Sequence, residues 1–89
     1  MSAFELKYDG SVLNKDKHAM VERFIYGPKG AKSARDRAII EIDATDAVAF
    51  ATVRFRNQEK DFEAKLGSEA LAKAMTWVED APELATWRR

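Results

Sequence analysis

Cysteine is absent from the 89 residues, so this chain has neither a disulfide nor a thiolate metal site. That absence fits a reducing compartment. No apolar run approaches the roughly 20 residues of a membrane-spanning helix. The stretch Met1-Ser2-Ala3-Phe4-Glu5 lacks the basic region and apolar segment of a signal peptide. The expectation is a cytoplasmic protein without membrane association. Histidine occurs once, as His18. On a helix it would stand four residues before Glu22, but two ligands do not make a metal site, and a surface histidine is the preferred reading. No Ser/His/Asp or Cys/His arrangement stands at a recognisable spacing. Glu41 and Asp43 point the same way on a strand, as paired carboxylates do in a glycosidase. Without a cleft or a catalytic partner they read as a solvated face. These absences argue against an enzyme and against any cofactor or metal.

What is present is an ordinary globular composition, 46% hydrophobic. At this length it implies one domain, residues 1–89, with one modest core. Net charge is zero but unevenly spread. Residues 15–37 hold seven Lys/Arg against three acids, a surplus of +4, and the remainder holds eight against twelve, −4. Such asymmetry can orient a molecule toward a charged partner, although two solvated surfaces are the preferred reading.

Residues 51–80 carry the clearest pattern. Ala51, Val53 and Phe55 alternate with Thr52, Arg54 and Arg56, and Phe62, Ala64 and Leu66 alternate with Asp61, Glu63 and Lys65. Period-two alternation marks strands with one buried face. The polar loop Asn57-Gln58-Glu59-Lys60 suits a hairpin that sets Phe55 opposite Phe62, Arg54 opposite Glu63 and Arg56 opposite Asp61. Gly67-Ser68 then opens a helix, with Ser68 as N-cap. Leu71, Ala74, Met75 and Val78 recur at helical spacing, Ala70, Trp77 and Ala81 widen the stripe, and Pro82 ends the helix near Asp80. The stripe is expected to cover the sheet face of Val53, Phe55, Phe62 and Leu66.

Earlier in the chain, Phe4, Leu6 and Tyr8 alternate with Glu5 and Lys7, and Asp9-Gly10 is a tight-turn signal that would pair Leu6 with Leu13. His18–Tyr26 reads either as a helix capped by Asp16 or as a strand. Its β-branched and aromatic residues favour the strand, paired with 37–44 so that Phe24 lies by Ile40 and Arg23 by Glu41. Residues 27–36 read as a mobile or irregular loop, and residues after Pro82 as a short last helix. The expected fold is α+β: an antiparallel sheet of four to five strands, covered on one face by the C-terminal helix, with a short second helix at the C-terminus. The strands-then-helix order is similar to that of double-stranded RNA-binding domains, but the N-terminal helix and lysine-rich start of the last helix of that family are missing, and no family is identified.

Two candidate surfaces follow. The 27–37 region resembles a phosphate-binding loop only superficially, because Ala31 rather than Gly precedes Lys32. Lys29, Lys32, Arg35 and Arg37 can nonetheless neutralise nucleic-acid phosphates, or else keep a solvated loop soluble. The aromatic and basic residues of Phe50–Arg56 interleave as in single-strand binders, but Phe55 is expected to face the core and the arginines to meet acids, leaving Phe50 outward. Leu84 and Trp87 either dock on the protein's own core or, with Phe50, anchor a protein partner. The expected function is a non-catalytic protein-interaction module: an adaptor, an inhibitor or a small homo-oligomer, with an unidentified protein partner or its own second copy. The alternative is a nucleic-acid-binding module using the basic loop.

Overall fold

Alternating apolar residues separated by short polar turns can bury one side of each strand only by pairing neighbour to neighbour. The computed structural model describes residues 3–14, 18–45 and 47–84, and the backbone of 85–87. It contains β1 (Phe4–Asn14), β2 (Ala19–Pro28), β3 (Ala38–Ala44), β4 (Ala49–Phe55), β5 (Gln58–Ala64) and α1 (Gly67–Glu79). The strands form one antiparallel sheet in the order β1-β2-β3-β4-β5, a pure meander. The fold is α+β, with the helix on one face and a short 3-10 segment, Pro82–Trp87, at the end. No helix among the described residues is long and apolar enough to cross a membrane.

The core lies between α1 and the sheet, chiefly β3 to β5, with Tyr26 of β2 and Phe4 of β1 at its edge. Ala38, Ile40 and Ile42 of β3 and Ala49, Ala51, Val53 and Phe55 of β4 point toward the helix and are buried. Ala70, Ala74 and Val78 face them from α1. Alanines on both sides let the helix backbone approach the sheet closely. Leu71, Met75, Trp77 and Phe62 pack around this centre, partly buried. Tyr26 ties β2 to the far end of the helix, its hydroxyl donating to the Glu79 carboxylate at 2.8 Å.

Residues 19–28 form a strand, with Phe24 opposite Ile40 and Arg23 opposite Glu41 as their pattern predicts. Four other local expectations are corrected. First, Asp9-Gly10 is not a hairpin turn. It is a bulge within one long strand, where the two residues oppose Arg23 alone and Gly10 takes φ +93°. Leu6 therefore pairs with Tyr26, and Leu13 with Met20. Second, the β4–β5 register is shifted by four. Phe55 pairs with Gln58, Arg54 with Glu59 and Ala51 with Phe62. The turn is the two residues Arg56-Asn57, and Arg56 adopts φ +58°. Its guanidinium is held there by Asp36 at 2.9 Å and the Arg35 carbonyl at 3.3 Å, so it does not meet Asp61. Because four is even, every side chain keeps its expected face. Third, the N-cap is Leu66, without a side-chain cap, and Ser68 lies inside the first turn. Leu66 is 61% exposed rather than core.

Fourth, Gly27 and Pro28 still belong to β2, and the irregular connection that follows them is tied by hydrogen bonds. Lys29 N–H donates to the Ala3 carbonyl at 2.8 Å, and Ser33 caps the 3-10 turn Ala34–Asp36 by accepting from Arg35 N–H at 3.2 Å. The Arg37 guanidinium donates to the Ala31 carbonyl at 2.6 Å, and Ala31 is buried. Gly27 is needed where this connection folds back. A Cβ there would stand 2.7 Å from the Asp36 carbonyl oxygen and 2.8 Å from Arg37 Cγ.

Candidate interaction surface

Five strands at about 4.8 Å spacing span roughly 20 Å, whereas one helix with its side chains is about 10 Å across. A single helix covers half such a sheet. Here α1 lies over β3, β4 and β5 and reaches β2 least. Phe4, Tyr26 and Pro28 at one end of β1 and β2 are buried, but toward the other end the helix-side residues of these strands lie beside the helix rather than under it. Leu6 is 36% exposed, Tyr8 61%, Leu13 59% and Met20 60%. Phe24 is half-buried beside them, its ring 5.4 Å from that of Tyr8.

Between this face and the start of α1 runs a groove of about 370 Å³, lined by Phe24, Ile42, Ala44, Gly67 and Leu71, with Glu22 at its rim. The Glu22 carboxylate accepts hydrogen bonds from the Tyr8 and Ser11 hydroxyls. These bonds hold Tyr8 in place across the β1–β2 pair. The result is a mostly apolar surface interrupted by the Glu22 carboxylate and the Ser11 hydroxyl.

The opposite face of the sheet mixes apolar side chains, among them buried Val21 and half-buried Ile25 and Ile39, with paired charges. Arg54 bridges Glu59 at 2.8 Å and Glu41 at 3.9 Å, and Arg23 lies 3.7 Å from Asp9. Arg23 Nε is buried with no hydrogen-bond partner among the described residues. Phe50 sits on this face, half-buried, between Asp43 and Glu63 of the neighbouring strands. The carboxylates of Glu41 and Asp43 belong to this salted surface. His18 is exposed at the start of the β2 hairpin arm with φ +52°. It is not on a helix with Glu22, and among the described residues no group of three or more His, Cys, Asp or Glu is placed to hold a metal.

Phe50 and Leu84 are not brought together, whereas the four cations singled out from sequence share the β2–β3 connection. Lys29, Lys32, Arg35 and Arg37 are all exposed there, and Arg37 also donates to the Ala31 carbonyl. Leu84 is fully buried and packs into the core. The Trp87 side chain lies outside the described residues. The uncovered face of β1 and β2 was not singled out from the sequence. Its signal was the count of strands against one helix of 13 residues.

The geometry defines an antiparallel five-stranded meander with one helix covering half of one face. Compared with known proteins, this chain matches no family model, no curated protein and no solved structure.

Proposed function

We propose that this chain is a non-catalytic protein-interaction module, an adaptor, inhibitor or small homo-oligomer, that docks through the uncovered helix-side face of β1 and β2. The observation that carries this reading is the row Leu6, Tyr8, Leu13 and Met20, exposed on the same side of the sheet as the core. Large apolar side chains in a contiguous patch are costly to keep in water and mark interaction surfaces. The lack of cysteine is compatible with a cytoplasmic setting.

The test uses the Leu13→Ser/Met20→Ser double variant, whose two positions lie beyond the bulge and outside the core cluster. Wild type should self-associate or retain a defined protein from solution, and the variant should lose that retention while melting like wild type. Equal retention by both, with both monomeric, overturns the reading. Nucleic-acid binding through the basic connection remains the second reading, supported by the exposed cations Lys29, Lys32, Arg35 and Arg37. Retention on a mixed nucleic-acid pool that falls steeply between two salt concentrations would favour it.

A further inference from the structure

We infer that β1 pairs edge to edge with β1 of a second copy, antiparallel, about a twofold axis through Leu6. This rests on the interaction reading above and names its partner.

The backbone direction comes first. Lys29 N–H donates to the Ala3 carbonyl, in the same register that sets Phe4 opposite Pro28 and Glu5 opposite Gly27. Hydrogen-bonded and non-bonded pairs alternate along an antiparallel ladder. Glu5 and Lys7 therefore turn their N–H and C=O groups toward β2, and Leu6 and Tyr8 turn theirs outward. Pro28, which has no N–H, stands at a non-bonded position, as this alternation requires. Among the described residues β1 is the terminal strand of the sheet, so the outward groups of Leu6 and Tyr8 form a template for another strand.

The length and the charges then select the register. The bulge at Asp9-Gly10 ends the regular ladder after Tyr8, so the pairing stretch lies before it, and Leu6, with Glu5 and Lys7 on either side, is the centre the charges select. About Leu6, Glu5 of each copy faces Lys7 of the other, and Leu6 faces Leu6. A centre at Glu5 or at Lys7 would instead set like charges opposite each other. Lys7 is exposed and Glu5 half-buried, and the two are already 3.5 Å apart within the chain, so the second copy completes a cluster of four alternating charges. Opposite charges across strands stabilise the pairing and like charges oppose it.

The other edge has the reverse pattern. On β5, a twofold centred on Lys60 sets Glu59 against Asp61, one on Asp61 sets Glu59 against Glu63, and one on Phe62 sets Asp61 against Glu63. Self-pairing is thus favoured at β1 and opposed at β5. In the joined sheet both helices lie on the same side. Leu6 and Tyr8, exposed in the single chain, come to lie at the centre of a trough between them.

The experiment is sedimentation equilibrium of the full chain from about 1 to 500 µM, with circular dichroism as the check on folding. Wild type should reach twice the 10.1 kDa chain mass. Leu6→Pro removes an outward N–H without touching the β1–β2 ladder, and should give a folded monomer. Glu5→Lys and Lys7→Glu should each weaken the dimer about tenfold, since both symmetric pairs become like-charged. Mixing these two variants should restore dimerisation, because the two lysines of one chain then face the two glutamates of the other. A wild type that stays monomeric at the highest concentration overturns the inference. So does a dimer indifferent to both charge reversals and not strengthened by mixing. In either case the Leu13→Ser/Met20→Ser retention measurement decides the broader interaction reading on its own.

Discussion

The two halves of the sheet obey the same alternation and end in opposite environments. In β3 and β4 the helix-side residues Ile40, Val53 and Phe55 are fully buried, while in β1 and β2 the helix-side residues Tyr8 and Met20 are about 60% exposed. Period-two patterning therefore tells which face of a strand is apolar, and not whether anything covers it. Coverage is decided by the width of the covering element, and one helix is too narrow for five strands. The half under the helix, with Phe4 and Tyr26 at its edge, forms the core, and the half beside it keeps large apolar side chains in water.

Mutation on either side should separate the two halves. The largest effect is expected for Phe55→Ala, about 3–5 kcal/mol from lost burial and the cavity left behind, enough to threaten a domain of this size. Tyr8→Ala should leave the thermal midpoint of the monomer nearly unchanged. Similar losses from both, measured by urea denaturation, would mean that the β1–β2 face is core after all. Next is Gly27→Ala, which drives a methyl into the Asp36 carbonyl and the Arg37 side chain. It should cost about 1–3 kcal/mol, and a neutral result would show that the β2–β3 connection yields easily. Tyr26→Phe removes the hydroxyl bond to Glu79 that joins the two halves, for about 0.5–1.5 kcal/mol.

Smaller still is the coupling between Arg54 and Glu59, both about half exposed. In a charge-swap double-mutant cycle it should be positive but within about 1 kcal/mol. The same cycle on Arg54 and Glu63 should give none, and the opposite outcome would restore the register expected from sequence. Replacing Lys29, Lys32 and Arg35 together by Ala should leave the melting midpoint nearly unchanged. If nucleic acid binds at all, that variant's salt dependence should flatten by about three contacts.

How much could be read in advance follows from where the constraints lie. The β2–β3 register was legible because two independent matches, Phe24 with Ile40 and Arg23 with Glu41, agree. The helix stripe was legible because Ala70, Ala74 and Val78 repeat at its period. The β4–β5 register was not, because its turn uses Arg56 in the left-handed region, where glycine or asparagine is the usual signal. What holds Arg56 there is Asp36, twenty residues away, and no local pattern encodes that. Asp9-Gly10 carried a hairpin signal, but the same residue pair also serves a bulge. Of the candidate site residues, Lys29, Lys32 and Arg35 are on the surface as expected. Arg37 is exposed too, with one guanidinium N–H donated to the Ala31 carbonyl, and the exposed Leu6, Tyr8, Leu13 and Met20 became visible only once the helix was placed.

The meander order also bears on how quickly this chain acquires its shape. Every strand pairs with its neighbour in sequence, so each ladder closes a short loop and the sheet can zip from any hairpin without a long search. The long-range step is the docking of α1, which brings Glu79 back to Tyr26 across 53 residues. Contacts of that kind form late, after most of the sheet is paired. Stability lost at Tyr26 should then appear in a chevron plot mainly as faster unfolding, with the refolding arm almost unmoved.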